Sequence, residues 1–237
     1  MVIAGRDPDR LSQAVRDAQA DDLELHALRC DVTDEAAVDR LFAELAETHP
    51  PLGLCVNNAG RNSSHRLVGV RQDESGAREV RPYPVSQWEE TIKLCLTGVF
   101  LVGRRAAAAM VAHDQGGVIV NISSATSSGA YGQSAYAAAK AGVESLTRTW
   151  AVELGEYGIR VVAVAPGVLD GEALRRRCAS SPRHQEYMSR LRRQTPLGRW
   201  CTEQDVAAAV ALAADNPSIT GTVLEVHAGG IPRRVYE

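Results

Sequence analysis

Ile122-Ser-Ser-Ala-Thr-Ser-Ser-Gly-Ala-Tyr-Gly-Gln-Ser-Ala-Tyr-Ala-Ala-Ala-Lys-Ala-Gly142 is the stretch whose reading decides the fold. It sets Tyr136 and Lys140 four residues apart in an alanine-rich segment that reads as a helix, so both side chains share one face. Just before it, Val118-Ile119-Val120-Asn121-Ile122 reads as a buried strand, and Ser124 follows its end. A serine at a strand end, facing a tyrosine and a lysine on the next helix, suits proton transfer to or from a carbonyl or alcohol. Serine would hold the oxygen, tyrosine would move the proton, and lysine would draw the phenol from its ordinary pKa of ~10 toward neutral pH. A Tyr/Lys pair at helical spacing is also what any exposed helix face presents. However, the chain has only two lysines, Lys93 and Lys140, among 26 basic residues. A compact ammonium kept in an arginine-biased chain points to a task that a planar guanidinium fills poorly.

Outward from this stretch, strands and helices alternate. Met1 to Gly5 reads as a short strand, and Asp7-Pro8 caps and opens a helix to about Ala20. Leu23 to Cys30 is a second strand. Thr33 is expected to cap a helix whose apolar positions Ala37, Val38, Leu41, Phe42 and Leu45 keep a 3.6-residue period. Leu52 to Val56 is a third strand. Residues 61–85 are irregular and polar, a functional flap or a mobile insertion. Ser86-Gln87-Trp88-Glu89 reads as a capping box opening a helix to about His113. After the Tyr/Lys helix, Gly158 is a stop, Ile159 to Ala165 a continuous apolar strand, and residues 171–199 an arginine-rich, partly helical lid. Thr202 caps a last helix and Val223 to Val226 is a last strand. This alternation predicts an α/β fold with a parallel sheet covered on both faces, in one domain over 1–237, with ligands at the carboxyl ends of the strands.

Composition narrows the function. At 237 residues and 45% hydrophobic content the chain can bury an ample core, and its net charge of −3 gives no reason to expect nucleic-acid binding. No apolar run reads as a membrane span, and no signal-peptide pattern opens the chain. Five scattered cysteines without a CxxC favour a reducing, cytoplasmic compartment, and six dispersed histidines show no metal-ligand spacing.

Ser124, then Tyr136-Ala137-Ala138-Ala139-Lys140, then Pro166-Gly167 after the next strand, with Asn57-Asn58-Ala59-Gly60 upstream, resembles the short-chain dehydrogenase/reductase (SDR) family over nearly the whole chain. The resemblance implies a Rossmann-like doubly wound sheet and an oxidoreductase that transfers hydride between a nicotinamide cofactor and a ketone or secondary alcohol. Ser124, Tyr136 and Lys140 would be catalytic. Arg6, Asp31, Val32, Asn58, Ala59, Gly60, Tyr136, Lys140, Pro166, Gly167 and Val168 would hold the cofactor. Arg6, after the first strand, favours NADP by pairing a 2′-phosphate, with NAD the alternative. Family members of this kind are usually homotetramers, some homodimers, packed through the helix before the catalytic strand and the Tyr/Lys helix.

Several departures bear on this implication. The family's first strand, glycine-rich loop and first helix would precede Met1. Either the chain begins upstream of this Met1, or the protein lacks the loop and serves as a non-catalytic partner subunit or binding protein. The asparagine usual before Leu96-Thr97-Gly98 is Cys95, a weak hydrogen-bonding group, so a proton relay to the lysine is expected to be impaired. The threonine that often follows Pro-Gly by four residues is Gly171. The spacing of Ser124 to Tyr136 is one residue shorter than common, leaving Ser123 as the alternative serine. The basic lid, with Arg175, Arg176, Arg177, Arg190, Arg192 and Arg193, is either a solvated face or an attraction for an anionic acyl carrier or coenzyme A thioester. A 3-oxoacyl thioester is thus a candidate substrate.

Overall fold

The computed structural model describes residues 1–72 and 76–230. Eight strands and eight α-helices are present among them: β1 (Val2–Gly5), α1 (Pro8–Ala20), β2 (His26–Arg29), α2 (Glu35–Thr48), β3 (Leu54–Asn57), β4 (Val68–Gln72), β5 (Arg78–Pro82), α3 (Val85–Ile92), α4 (Gly98–His113), β6 (Gly117–Ile122), α5 (Ser134–Leu154), β7 (Ile159–Pro166), α6 (Glu172–Ser180), α7 (Pro182–Gln194), α8 (Glu203–Asp215) and β8 (Val223–Val226). The parallel strands form two pieces. One holds β1 and β2, the other runs β3-β6-β7-β8. Helices cover both faces of the larger piece, as the alternation predicts. On one face Val99, Leu101, Ala106, Met110, Val143 and Trp150 pack with Ile119 and Val161; on the other, α8 packs on Val118, Val120, Val162 and Val164. β7 is buried along its length except at Arg160, which is why it reads as an unbroken apolar run.

Local chemistry explains most element ends. The Asp7 carboxylate accepts the Asp9 and Arg10 amides, with proline at the first helical position of α1. Thr202 and Asp205 form a reciprocal capping box on α8. Gly158 takes φ +68, ending the helical stretch that follows α5. Three expectations are corrected. Asp34, not Thr33, caps α2, because Thr33 turns its hydroxyl to Asp31. Ser86 forms no capping box: α3 already begins at Val85 behind Pro84 and has no side-chain cap. Residues 61–85 contain the antiparallel hairpin β4–β5, in which Val68, Val70, Val80 and Pro82 share one face. Residues 73–75 of that insertion lie outside the described residues.

A π-helical turn at Lys93–Thr97 joins α3 to α4 in one helical stretch, Val85–His113, of 29 residues. Contrary to the expectation from its sequence, this stretch is long and apolar enough to cross a membrane. It packs against α2, α5, β3 and β6, and its apolar side chains form much of the core.

Candidate active site

The carboxyl end of β6 and the first turns of α5 create the site. Past β6 the chain stays tied to the sheet, the Ser123 amide donating to the Val164 carbonyl at 2.7 Å. Ser124 then caps a short 3-10 turn, its hydroxyl accepting the Thr126 amide at 3.2 Å and lying 3.0 Å from the Thr126 hydroxyl. α5 starts at Ser134, so Tyr136 lies in its first turn and Lys140 one turn on. Lys140 is 2% exposed and donates to the Ile122 carbonyl at 2.6 Å, with Nζ 5.6 Å from the centroid of the Tyr136 ring.

Electrostatics alter one expectation. Burial pushes the Tyr136 phenol up to about 12; the nearby Cys95 thiol adds to this, and the nearby Ser124 hydroxyl offsets part of it. Burial also lowers the Lys140 pKa, only partly opposed by Cys95. The expected lowering of the phenol by lysine is therefore not what this arrangement produces. Both groups are taken out of water, and the ammonium is bonded to a backbone carbonyl. The geometry separates the two serines. Both are buried; Ser124 stands near the Tyr136 phenol, whereas Ser123 is bonded to the Glu144 carboxylate at 2.9 Å and the Lys140 carbonyl at 3.3 Å.

Cys95 lies in the π-helical turn, where one extra residue re-aims the side chains. It is fully buried, its thiol donating to the Arg61 carbonyl at 3.6 Å. A Cβ built on Gly60 would sit 3.6 Å from Lys140 Nζ and 3.7 Å from Cys95 Sγ, so Gly60, Cys95 and Lys140 meet in one place.

The remaining expected ligand residues lie at carboxyl ends of strands. Arg6 follows β1 and Asp31 follows β2, and their side chains meet at 3.5 Å. Burial raises the Asp31 pKa, but the Thr33 amide and hydroxyl and the Arg6 guanidinium outweigh it and hold the carboxyl below its ordinary value. Val32, Asn58 and Ala59 line one cavity, which Arg6, Asp31 and Pro166 to Val168 do not. Gly167 donates to the Val226 carbonyl at 2.8 Å, and a Cβ there would lie 2.8 Å from the Cβ of His227, so only glycine fits against that turn. Val168 is held by the Cys201 amide at 3.1 Å.

A residue set not singled out in the sequence fixes this layout. Asn57 donates to Asn121 at 2.8 Å, Asn121 donates to Thr147 at 2.9 Å, and Thr147 donates to the Val143 carbonyl at 2.9 Å. All three side chains are buried, and together they tie β3 and β6 to α5. The signal was an asparagine inside the apolar run 118–122, where an unpaired amide would be costly. Its partners are 64 and 26 residues away and no local pattern names them.

The donor set fits a dinucleotide lying across the carboxyl edge. A guanidinium and a carboxylate stand at one end, small residues at 58–60 allow close backbone approach, and a buried ammonium stands at the other. Comparisons with known proteins agree. The family model described as enoyl-(acyl carrier protein) reductase matches residues 1–230. An uncharacterised oxidoreductase, C922.06, of Schizosaccharomyces pombe is 35% identical over 86% of this chain and 73% of its own length. The 3-oxoacyl-(acyl-carrier-protein) reductase FabG of Thermotoga maritima is 31% identical over 96% of this chain and 86% of its own. The crystal structure of a single-residue variant of actinorhodin polyketide ketoreductase with NADPH superposes with a TM-score of 0.82 at 26% identity, covering 96% of this chain and 86% of that one. The chain belongs to the short-chain dehydrogenase/reductase family of oxidoreductases, which interconvert CH–OH and C=O groups with a nicotinamide dinucleotide.

Proposed function

We propose that this protein is an NADP(H)-dependent reductase of ketones, 3-oxoacyl thioesters being the favoured class, working in the cytoplasm. The observation that carries the reading is Tyr136 in the first turn of α5, near Ser124 and with the buried Lys140 Nζ 5.6 Å from its ring centroid. Bound NADPH supplies the hydride. Ser124 positions the carbonyl oxygen, and Tyr136 gives it the proton. Tyr136 is protonated at neutral pH and so can give a proton to the carbonyl oxygen. Lys140 would hold the nicotinamide ribose.

Arg6 supports NADP over NAD, since a guanidinium at the end of β1 can pair a 2′-phosphate while Asp31 keeps it in place. Asp31 and Val32 would border the adenine end, Asn58, Ala59 and Gly60 would line the middle, and Pro166, Gly167 and Val168 would hold the nicotinamide end. The thioester reading is supported by the arginine-rich lid of α6 and α7 and by similarity to a protein named as a 3-oxoacyl-(acyl-carrier-protein) reductase. Phe100 on α4 and Val152 on α5 are 44% and 84% exposed, which supports a homotetramer or homodimer packed through these two helices. In a steady-state assay of NADPH oxidation with a 3-oxoacyl thioester, Tyr136→Phe is expected to lower turnover at least ~100-fold. Retained turnover would remove Tyr136 from the chemistry.

A further inference from the structure

Tyr136 sits in the first turn of α5, yet that helix does not fix its own start. The N-cap residue Gln133 makes no side-chain cap, and the turn before it runs through Gly129 at φ +106 and Gly132 at φ +71. Uncapped first turns fray, and glycines lose the most backbone freedom when they are ordered. Residues 61–85 supply what the turn lacks. The His65 amide donates to the Gly132 carbonyl at 2.8 Å, and His65 forms a parallel bridge with Gln133. The His65 ring meets the Tyr83 ring edge-on, with centroids 5.4 Å apart. Tyr83 in turn donates its amide to the Leu67 carbonyl at 2.9 Å, just beyond the Val68–Pro82 pair, so the base of the β4–β5 hairpin stands against His65. Arg66 lies over the Tyr131 ring at 5.3 Å. The start of the same segment is tied to the other side of the corner: Arg61 pairs with Glu90 of α3, and its carbonyl accepts the Cys95 thiol.

From this geometry we infer that His65 and Tyr83 are positioning residues: the base of the hairpin clamps the turn 129–133 and so sets where α5 presents Tyr136. The inference rests on the role proposed for Tyr136. Gln133 and Tyr136 are three residues apart, neighbours on one helix face, so whatever holds Gln133 also orients the first turn. The clamp grips backbone at Gly132, and it acts on the reaction through Tyr136 alone. The Tyr83 hydroxyl is buried and has no hydrogen-bond partner, so the ring edge carries the contact with His65. A catalytic group displaced by about 1 Å can lose ~100-fold in rate, which gives a small clamp at this place more leverage on turnover than on global stability. The insertion is thereby a working part of the catalytic corner, the flap of the two readings its sequence left open.

The test joins steady-state NADPH oxidation, with acetoacetyl-coenzyme A as the probe substrate, to hydrogen exchange on the same whole-chain proteins. Tyr83→Ala is expected to lower kcat at least ~10-fold with KM for NADPH within ~2-fold. It should also speed exchange at least ~10-fold at the His65 and Ala137 amides, which bond the Gly132 and Gln133 carbonyls, while the β6–β7 amides keep their rates. His65→Ala should do the same, and the double variant no more than either, because both remove one contact. Tyr83→Phe should keep wild-type kcat and exchange, since the ring remains. Unchanged exchange at His65 and Ala137 in Tyr83→Ala would overturn the inference. So would a Tyr83→Phe as damaging as Tyr83→Ala, which would give the role to the hydroxyl. Tyr136→Phe separates the clamp from the reading beneath it. Full kcat in Tyr83→Ala beside an inactive Tyr136→Phe overturns the clamp alone, and full kcat in Tyr136→Phe overturns both.

Discussion

Tyr136 and Lys140 share a buried corner, and their titrations pull stability in opposite directions. The folded phenol titrates near 12 and an unfolded one near 10. Its contribution is therefore complete below pH 10 and lost as pH rises toward 12. Lys140 is lowered in the fold, so its cost is greatest where the unfolded lysine is protonated and fades at alkaline pH. Comparing wild type with Tyr136→Phe isolates the phenol. Between pH 9 and 12 the wild type should lose about 2 kcal/mol more than the variant in urea unfolding, and equal losses would deny the raised pKa. Cys95 offers a second test. Its thiol is a weak partner where an amide could bridge the Arg61 carbonyl and Lys140. Cys95→Asn is expected to raise kcat several-fold with KM for NADPH nearly unchanged. At the far end, Arg6→Leu should raise KM for NADPH ~10-fold and leave NADH use unaltered, the loss expected for one charge-assisted contact. The meeting of Tyr136 with Lys140 was readable in the sequence because helical spacing brings residues four apart together. The Asn57–Asn121–Thr147 chain was not, since it spans three elements.

At the scale of elements, caps and stops follow local rules while crossings follow shape. Gly103 of α4 lets Trp150 of α5 lie against the helix backbone: a Cβ there would come within 2.5 Å of the indole ring. Gly103→Ala should therefore destabilise the protein by about 1–3 kcal/mol despite alanine's better helix propensity, measured as a drop in the urea midpoint. Arg160 leaves β7 to donate to the Ala213 and Ala214 carbonyls at 2.6 Å and to Ile219 at 2.9 Å, closing the carboxyl end of α8. The hairpin β4–β5 escaped the sequence reading because only Val68, Val70 and Val80 break a polar run, and period-2 alternation over so few residues looks like a loop. The Ser86 motif had a capping-box spelling, yet Pro84 set the helix start two residues earlier.

For the whole molecule, the division of the sheet governs which parts open first. β6 and β7 are paired on both sides and covered by helices on both faces, whereas β1–β2 is a two-stranded unit carried mainly by α1. Two-stranded pieces have little stability of their own. In native-state hydrogen exchange, amides of β6 and β7 should exchange at the rate of global unfolding, and those of β1 and β2 at least ~100-fold faster. Uniform protection across both pieces would contradict this division.

Sequence by itself determined the alternation of strands and helices, the parallel sheet, the family and the pairing of Tyr136 with Lys140. Each of these is written in local periodicity or in spacings within one helix. Tertiary structure decided the remainder. It set the direction of the Tyr136 shift, which depends on how much water the packed neighbours remove. It set Ser123 against Glu144 and Ser124 near the phenol.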